Sequence, residues 1–183
     1  MKAWTLWITG LPGSGKSTLA HTLHSNLKTK DISAQILSSD ELRKVMTPKP
    51  AYSEEERDTV YATLVLIAKL LNQNGINVII DATGNLRRYR DLAHRTLKNF
   101  VIVYAKCDLK VCIKREQKRR KRFSAPKKIY DKGLSGRSTT VPGLNVPYEE
   151  PIDADITVRT DEQPTEESAQ EISNFILNFL KAL

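Results

Sequence analysis

The stretch "ITGLPGSGKST", residues 8–18, has the residue types and spacing of a phosphate-binding loop. It fits the pattern G-x-x-x-x-G-K-[ST], between an apolar run and a helical pattern. In such a loop, backbone N–H groups surround phosphate oxygens, and the N-terminus of the next helix adds positive charge. The sequence therefore predicts a nucleoside triphosphate site, formed by Gly10, Leu11, Pro12, Gly13, Ser14, Gly15, Lys16, Ser17 and Thr18.

Two side chains of this loop are expected to take part in chemistry. Lys16 is predicted to be catalytic, because its ammonium group would neutralise charge that develops between the outer phosphates. Ser17 is predicted to ligate Mg²⁺. The chain has no N-K-x-D motif for reading guanine. An ATP-using transferase is therefore favoured over a switch GTPase.

Two aspartates follow apolar runs further along the chain. Asp40 could orient an acceptor hydroxyl or hold a Mg²⁺-bound water, so it is a second catalytic candidate. Asp81 is predicted to face the Mg²⁺ as well, which gives Ser17, Asp40 and Asp81 as the candidate metal site. The alternative for both aspartates is helix capping, and Ser38 and Ser39 would suit that position equally well.

Several arginines are placed where they could bind an anionic acceptor. Arg43 follows Asp40 by about one helical turn, and Arg57, Arg87 and Arg90 lie near the starts of predicted helices. A guanidinium group binds phosphate or sulfate through a planar fork of donors. Arginines that converge on one rim therefore favour an acceptor with two negative charges.

The elements that must position these residues alternate between strands and helices. Strands are predicted at 4–9, 34–40, 77–83, 100–108 and 153–161, and helices at 16–27, 54–72, 87–99, 109–122 and 165–183. This alternation predicts an α/β fold in one domain, residues 1–183, with a parallel sheet covered on both faces. Ligands bind beyond the carboxyl ends of such strands. Residues 123–151, rich in Gly, Pro, Ser and Lys, are expected to form a mobile lid with few large apolar anchors.

Composition sets limits on the class of protein. The chain has 183 residues, of which 40% are hydrophobic and 27% charged, as is typical of a soluble globular protein. No apolar run approaches a membrane span, and the N-terminal run is too short for a signal peptide, so a cytoplasmic protein is expected. Cys107 and Cys112 are expected to be semi-buried thiols, with a metal or disulfide role as the alternative.

The net charge is +8, and much of the excess lies in residues 114–122, "KREQKRRKR". Such a run is either a solvated helix face or a contact surface for an anion. An anionic small molecule and a nucleic acid are both compatible with it.

With these motifs in place, the chain resembles the adenylylsulfate kinases (APS kinases). The lid, residues 126–151, is similar to the lid of that family, and the spacing from Tyr130 to Gly143 to residues 147–149 matches without a gap. Further matches are Asp40 with Arg43, residues 52–57, Arg87 with Arg90, and residues 111–112 with Arg115.

The resemblance implies a P-loop kinase that transfers phosphate from ATP to the ribose 3′-hydroxyl of adenylyl sulfate. It also implies Mg²⁺ as cofactor and a homodimer. Asp40 would act as acid–base and organise the Mg²⁺, and Arg43 and Arg57 would hold the phosphosulfate. The remaining assignments are Tyr52 stacked on the acceptor adenine, Arg87 and Arg90 on the acceptor side, and Arg115 over the adenine of ATP.

The chain also departs from the family pattern. Ser38, Val60, Thr139 and Val141 replace an Asp, an Asn, a lid Lys and the lid aromatic that would enclose the acceptor adenine. Gly84 and Asn85 replace a Ser-Pro pair, Asp81 is atypical, and residues 116–125 form an insertion before the lid.

Two other functions therefore stay open at the level of sequence. One is a kinase of another hydroxyl, such as a sugar, a nucleoside or a polynucleotide 5′ end. The other is a nucleic-acid-binding regulator that uses ATP to change shape. The lid favours adenylyl sulfate, and the basic run favours these alternatives.

Overall fold

A five-stranded sheet forms the centre of the computed structural model, which describes residues 2–119 and 123–181. The strands follow the order β2-β3-β1-β4-β5, and every neighbouring pair is parallel. Their bounds are β1 Thr5–Thr9, β2 Ala34–Ser38, β3 Asn77–Asp81, β4 Phe100–Lys106 and β5 Ile156–Arg159. The predicted α/β fold is confirmed, and each predicted strand contains the observed one with a few residues in excess.

Helices cover both faces of the sheet, which is why the central strands are almost entirely apolar. One core lies between the sheet and helices α1 and α7, and the other lies beneath α3 and α4. The helix bounds are α1 Lys16–Lys28, α2 Ser39–Met46, α3 Glu54–Gln73, α4 Arg87–Thr96, α5 Leu109–Lys118, α6 Ile129–Leu134 and α7 Thr165–Lys181. Among the described residues, no helix is both long enough and apolar enough to cross a bilayer.

Helix α2 corrects the predicted end of the second strand. Residues 34–40 were expected to be extended, but β2 ends at Ser38, and Asp40 lies in the first turn of α2. The hydroxyl of Ser38 accepts a hydrogen bond from the backbone N–H of Glu41, as an N-cap does. The capping alternative therefore applies to Ser38, and the Asp40 carboxylate is left for another role.

The predicted helix 109–122 ends earlier, at Lys118. Its residues 120–122 lie outside the described part of the chain, as do residues 182–183 of the terminal helix. The expectation that the lid lacks large apolar anchors is wrong. The lid contains α6, and Tyr130 and Val141 pack with Cys107 and Cys112 in a third apolar cluster. Both cysteines are buried free thiols.

Candidate active site

The phosphate-binding loop turns between β1 and α1 at one end of a cavity of about 460 Å³. Gly13 and Gly15 have φ angles of +83° and +93°, which glycine adopts without strain. A Cβ atom on Gly13 would lie 2.5 Å from the carbonyl oxygen of Cys112. Because α5 approaches the loop this closely, a larger residue at position 13 would push the two apart.

Most of the predicted loop residues line this cavity, namely Pro12, Gly13, Gly15, Lys16, Ser17 and Thr18. Gly10, Leu11 and Ser14 are not part of its lining. The backbone N–H of Ser14 donates to the carbonyl of Leu11 over 3.1 Å, which tightens the turn. The loop is further held by hydroxyl donors from two other elements: Thr160 bonds the carbonyl of Ser14 at 2.7 Å, and Tyr130 bonds that of Pro12 at 2.7 Å.

Lys16 occupies the floor of the cavity and is 8% exposed. Its Nζ donates to the carbonyl oxygen of Leu11 at 2.9 Å. Burial lowers the pKa of Lys16, and the nearby Asp81 and Asp40 oppose that fall. Among the described residues, the Lys16 ammonium group donates to the neutral carbonyl oxygen of Leu11. A triphosphate would offer it anionic hydrogen-bond acceptors.

Asp40 and Asp81 line the same cavity. Burial raises the pKa of both carboxyl groups. The charge of Asp81 adds to the rise at Asp40, whereas Lys16 and a side-chain hydrogen bond from Ser17 oppose the rise at Asp81. The two acids thus lie within each other's field, and added positive charge between them would favour their ionised forms.

The donor set at this point suits magnesium. Ser17, Asp40 and Asp81 offer hydroxyl and carboxylate oxygens, the ligands that Mg²⁺ prefers. Within residues 2–119 and 123–181, no group of three or more His, Cys, Asp or Glu side chains could hold a metal by itself. Mg²⁺ is usually bound by one or two carboxylates together with substrate phosphates, and Asp40 and Asp81 offer two carboxylates in this cavity.

Tyr52 is close to two arginines in the same cavity. The guanidinium carbon of Arg43 is 4.9 Å from the ring centroid of Tyr52, and that of Arg57 is 5.9 Å away. All three side chains line the cavity. The structure therefore brings together the predicted aromatic platform and the two predicted anion-binding arginines.

Arg43 is held in this place by Glu56. The two side chains form a buried ion pair, and the same carboxylate accepts hydrogen bonds from the backbone N–H groups of Ala51, at 2.7 Å, and Tyr52, at 3.0 Å. Tyr52 needs this support because its φ of +57° is unusual for a residue other than glycine.

Arg57 connects the platform to the lid. Its Nη2 donates to the carbonyl of Thr140 at 2.6 Å, its Nη1 to Oδ1 of Asn85 at 3.1 Å, and its Nε to the carbonyl of Tyr52 at 3.1 Å. Val141, which neighbours Thr140, is 3% exposed and lines the same cavity.

Arg87 and Arg90 are not part of the cavity lining. The guanidinium of Arg90 donates to the backbone carbonyls of Gly84 and Glu149. The backbone N–H of Arg87 donates to the carboxylate of Glu149. In this structure both residues fix the end of the lid to the loop before α4, and their predicted contact with the acceptor stays a prediction.

Arg115 lines the cavity beside the phosphate-binding loop, and its Nη2 donates to the carbonyl of Thr160 at 2.7 Å. Other lining residues were not singled out from the sequence: Ser39, Tyr61, Arg119, Lys127, Lys132 and Thr160. The basic run contains Arg119, but its sequence does not distinguish that arginine from its neighbours. Nothing in the local sequence marks Thr160, because its contact to Ser14 joins residues 146 positions apart.

Comparison with known proteins agrees with this geometry. The family model described as adenylylsulphate kinase matches residues 2–159. The adenylyl-sulfate kinase of Rippkaea orientalis is 34% identical over 168 residues, which cover 92% of this chain and 88% of that protein. A probable adenylyl-sulfate kinase of Archaeoglobus fulgidus is 35% identical over 159 residues, or 87% and 97% of the two chains.

Comparison with solved structures shows similarity of the fold to kinases of this type. The APS kinase of Mycobacterium tuberculosis, in complex with AMPPNP and APS, has a TM-score of 0.83 and 29% identity, with 98% of each chain covered. A gluconokinase from Sinorhizobium meliloti, 18% identical with a TM-score of 0.64 and coverage of 99% and 95%, shares the fold alone. By sequence and by structure, the chain belongs to the adenylylsulphate kinase family.

Proposed function

We propose that this protein transfers the terminal phosphoryl group of ATP to the ribose 3′-hydroxyl of adenylyl sulfate. The products are 3′-phosphoadenylyl sulfate and ADP. The observation that carries the proposal is the platform formed by Tyr52 with Arg43 and Arg57, in the cavity that the phosphate-binding loop also lines. An aromatic face suits an adenine, and two forked cations suit an adjoining phosphate and sulfate.

The site residues then have different roles in a single displacement reaction at phosphorus. The bond between the 3′-oxygen and the terminal phosphorus forms while the bond from that phosphorus to the oxygen of ADP breaks. Lys16 neutralises charge on the outer phosphates, and the Asp40 carboxylate receives the proton of the 3′-hydroxyl. Arg115 lies beside the phosphate-binding loop, and its side chain would cover the adenine of ATP.

Magnesium would be held by Ser17 and Asp81, with Asp40 in contact directly or through water. When bound, it would supply positive charge to the outer phosphates. The acids of this chain orient it. Their raised pKa values favour their neutral forms in the free protein, and a cation with the nucleotide favours their ionised forms.

A neutral acceptor fits the cavity less well. A sugar would leave Arg57, whose acceptors in the protein are all neutral, without an anionic partner and Tyr52 without a ring to stack on. Kinases of sugars share the fold at under 20% identity, which says nothing about the acceptor of this chain.

The direct test measures ADP release in a coupled assay with four acceptors side by side: adenylyl sulfate, gluconate, a nucleoside mixture and an oligonucleotide with a 5′-hydroxyl. We expect turnover with adenylyl sulfate and formation of 3′-phosphoadenylyl sulfate. The proposal fails if millimolar adenylyl sulfate gives no product while another acceptor is phosphorylated.

We also propose that the protein is a homodimer, as the family resemblance implies, and that it is cytoplasmic. Leu66 and Leu70 support an interface on α3, because they are one helical turn apart and about half exposed. Sedimentation at micromolar concentration tests the dimer, and a monomer at all concentrations would contradict it.

A further inference from the structure

Arg119 is the C-cap residue of α5 and belongs to the inserted residues 116–125. Its backbone N–H donates to the carbonyl of Glu116 at 3.3 Å, so its main chain is still fixed to the last helical turn. Its side chain is partly buried and lines the cavity that Lys16 and the two aspartates also line. An arginine has thus been placed inside the site by a segment that the family pattern lacks.

The cavity contains four described arginines, and three of them already have acceptors. Arg43 is paired with Glu56, Arg57 uses its donors on Tyr52, Asn85 and Thr140, and Arg115 bonds Thr160. In residues 2–119 and 123–181, the guanidinium of Arg119 makes no hydrogen bond or ion pair. A partly buried guanidinium with free donors is suited to bind an anion.

The groups proposed to act on the phosphates share this cavity with Arg119. Lys16, Asp40 and Asp81 line it, and they belong to α1, α2 and β3. Because the transfer uses the loop lysine and the two acids, the terminal phosphate of ATP would lie in the cavity that Arg119 also lines.

We propose that Arg119 is a further catalytic residue, which binds the transferring phosphoryl group and stabilises the charge that develops on its oxygens. Two N–H groups of a guanidinium span two oxygens of a phosphoryl group, whereas an ammonium group offers a single point of charge. The proposal rests on the proposed function only in requiring phosphoryl transfer from ATP, because Arg119 contacts the donor phosphate whatever the acceptor.

The test compares Arg119→Ala and Arg119→Lys with Lys118→Ala. Lys118 is the matched control, since it is the exposed neighbour that carries the same charge outside the cavity. Steady-state kinetics with ATP and adenylyl sulfate and acceptor-free ATP hydrolysis are measured for each variant, and a thermal melt checks folding. We expect R119A to lower kcat about 10- to 100-fold, the value of one charged hydrogen bond, with the KM for adenylyl sulfate within about threefold.

Three further results are expected. K118A keeps wild-type kcat, R119K recovers a minor part of the lost rate, and guanidinium ion added to R119A restores part of kcat without changing its melting temperature. The proposal is overturned if R119A keeps its kcat, if only a KM rises, or if K118A loses as much as R119A.

Failure of the proposed function gives a different result. If the wild-type protein makes no 3′-phosphoadenylyl sulfate, the acceptor assignment is wrong and Arg119 is judged on acceptor-free hydrolysis. There R119A must still lose at least about tenfold relative to K118A. Equal hydrolysis by the two variants overturns the role of Arg119 itself.

Discussion

At the scale of single residues, the site is a cluster of largely buried ionisable groups. Lys16, Asp40 and Asp81 are each shifted by burial toward the neutral form. Such groups cost stability in the free protein and gain partners when an anionic nucleotide and its cation bind. The same residues should therefore show opposite effects on activity and on stability when they are replaced.

Replacing Lys16 with Ala should abolish phosphoryl transfer while the protein still folds. The reason is that Lys16 is the loop side chain that can neutralise charge between the outer phosphates. Product formation and circular dichroism measure the two effects. A K16A protein with turnover near the wild-type value would remove the loop lysine from the mechanism.

Replacing Asp40 with Asn should lower kcat at least tenfold, because general base catalysis typically accelerates a reaction by about 10²- to 10⁴-fold. It should also raise the melting temperature of the ligand-free protein at neutral pH. The pKa of Asp40 is raised in the folded state, so the folded chain binds this proton more tightly than the unfolded chain. The contribution of Asp40 to the free energy of unfolding is therefore greatest at low pH and falls as the pH rises above about 3.8, the ordinary pKa of the group. An Asn at this position does not ionise, so the variant avoids that fall in stability.

The control for Asp40 is Glu55→Gln, which removes an exposed acid at the start of α3. It should change neither kcat nor the melting temperature appreciably. The stability gain of D40N should vanish when the melts are repeated near pH 3. A lower melting temperature for D40N at neutral pH, with normal turnover, would give Asp40 a structural role.

At the scale of elements, the start of α3 positions the acceptor platform. Ser53 and Glu56 have the S-x-x-E spacing of a capping box, and the Ser53 hydroxyl accepts from the N–H of Glu56 at 3.2 Å. The Glu56 carboxylate extends further back than Ser53, to the N–H groups of Ala51 and Tyr52 and to Arg43. The N-terminus of α3 thus positions both the Tyr52 ring and the Arg43 guanidinium.

Replacing Glu56 with Gln should therefore weaken acceptor binding more than ATP binding. We expect the KM for adenylyl sulfate to rise by roughly tenfold, since a charged hydrogen bond is worth about 1.5–3 kcal/mol. The KM for ATP should stay within about twofold, and Glu56→Asp should recover part of the loss. Equal rises in both KM values would indicate general damage to the fold.

At the scale of the whole molecule, the lid joins the two ends of the cavity. Tyr130 contacts the phosphate-binding loop through Pro12, and Thr140 accepts from Arg57 on the acceptor side. Arg90 and Asn85 fasten the lid's far end, through Glu149 and Pro147. Ligands at both ends of the cavity would therefore act on one segment.

Hydrogen exchange in residues 123–151 should slow when an ATP analogue and adenylyl sulfate are both bound, and slow less with either alone. Bound ligands would close the segment over the cavity and exclude water from the transfer. Mass spectrometry of exchange resolves this region by peptide. Exchange that is equally slow with and without ligands would show that the lid assignment is wrong.

The sequence by itself determined the nucleotide site, the parallel sheet and the family. These follow from local spacing, because the glycines and Lys16 act within one turn and the strands are identified by their own apolar runs. The platform of Tyr52, Arg43 and Arg57 was predicted from family spacing in the same way.

The tertiary structure alone decided which distant side chains meet. It bonded Arg90 to the backbone at the end of the lid, bonded Thr160 to the phosphate-binding loop, and placed Arg119 in the cavity lining while the neighbouring Lys118 is exposed. Spacing along a chain cannot predict such contacts, because they depend on how separate helices and strands pack and on which donors that packing leaves unpaired.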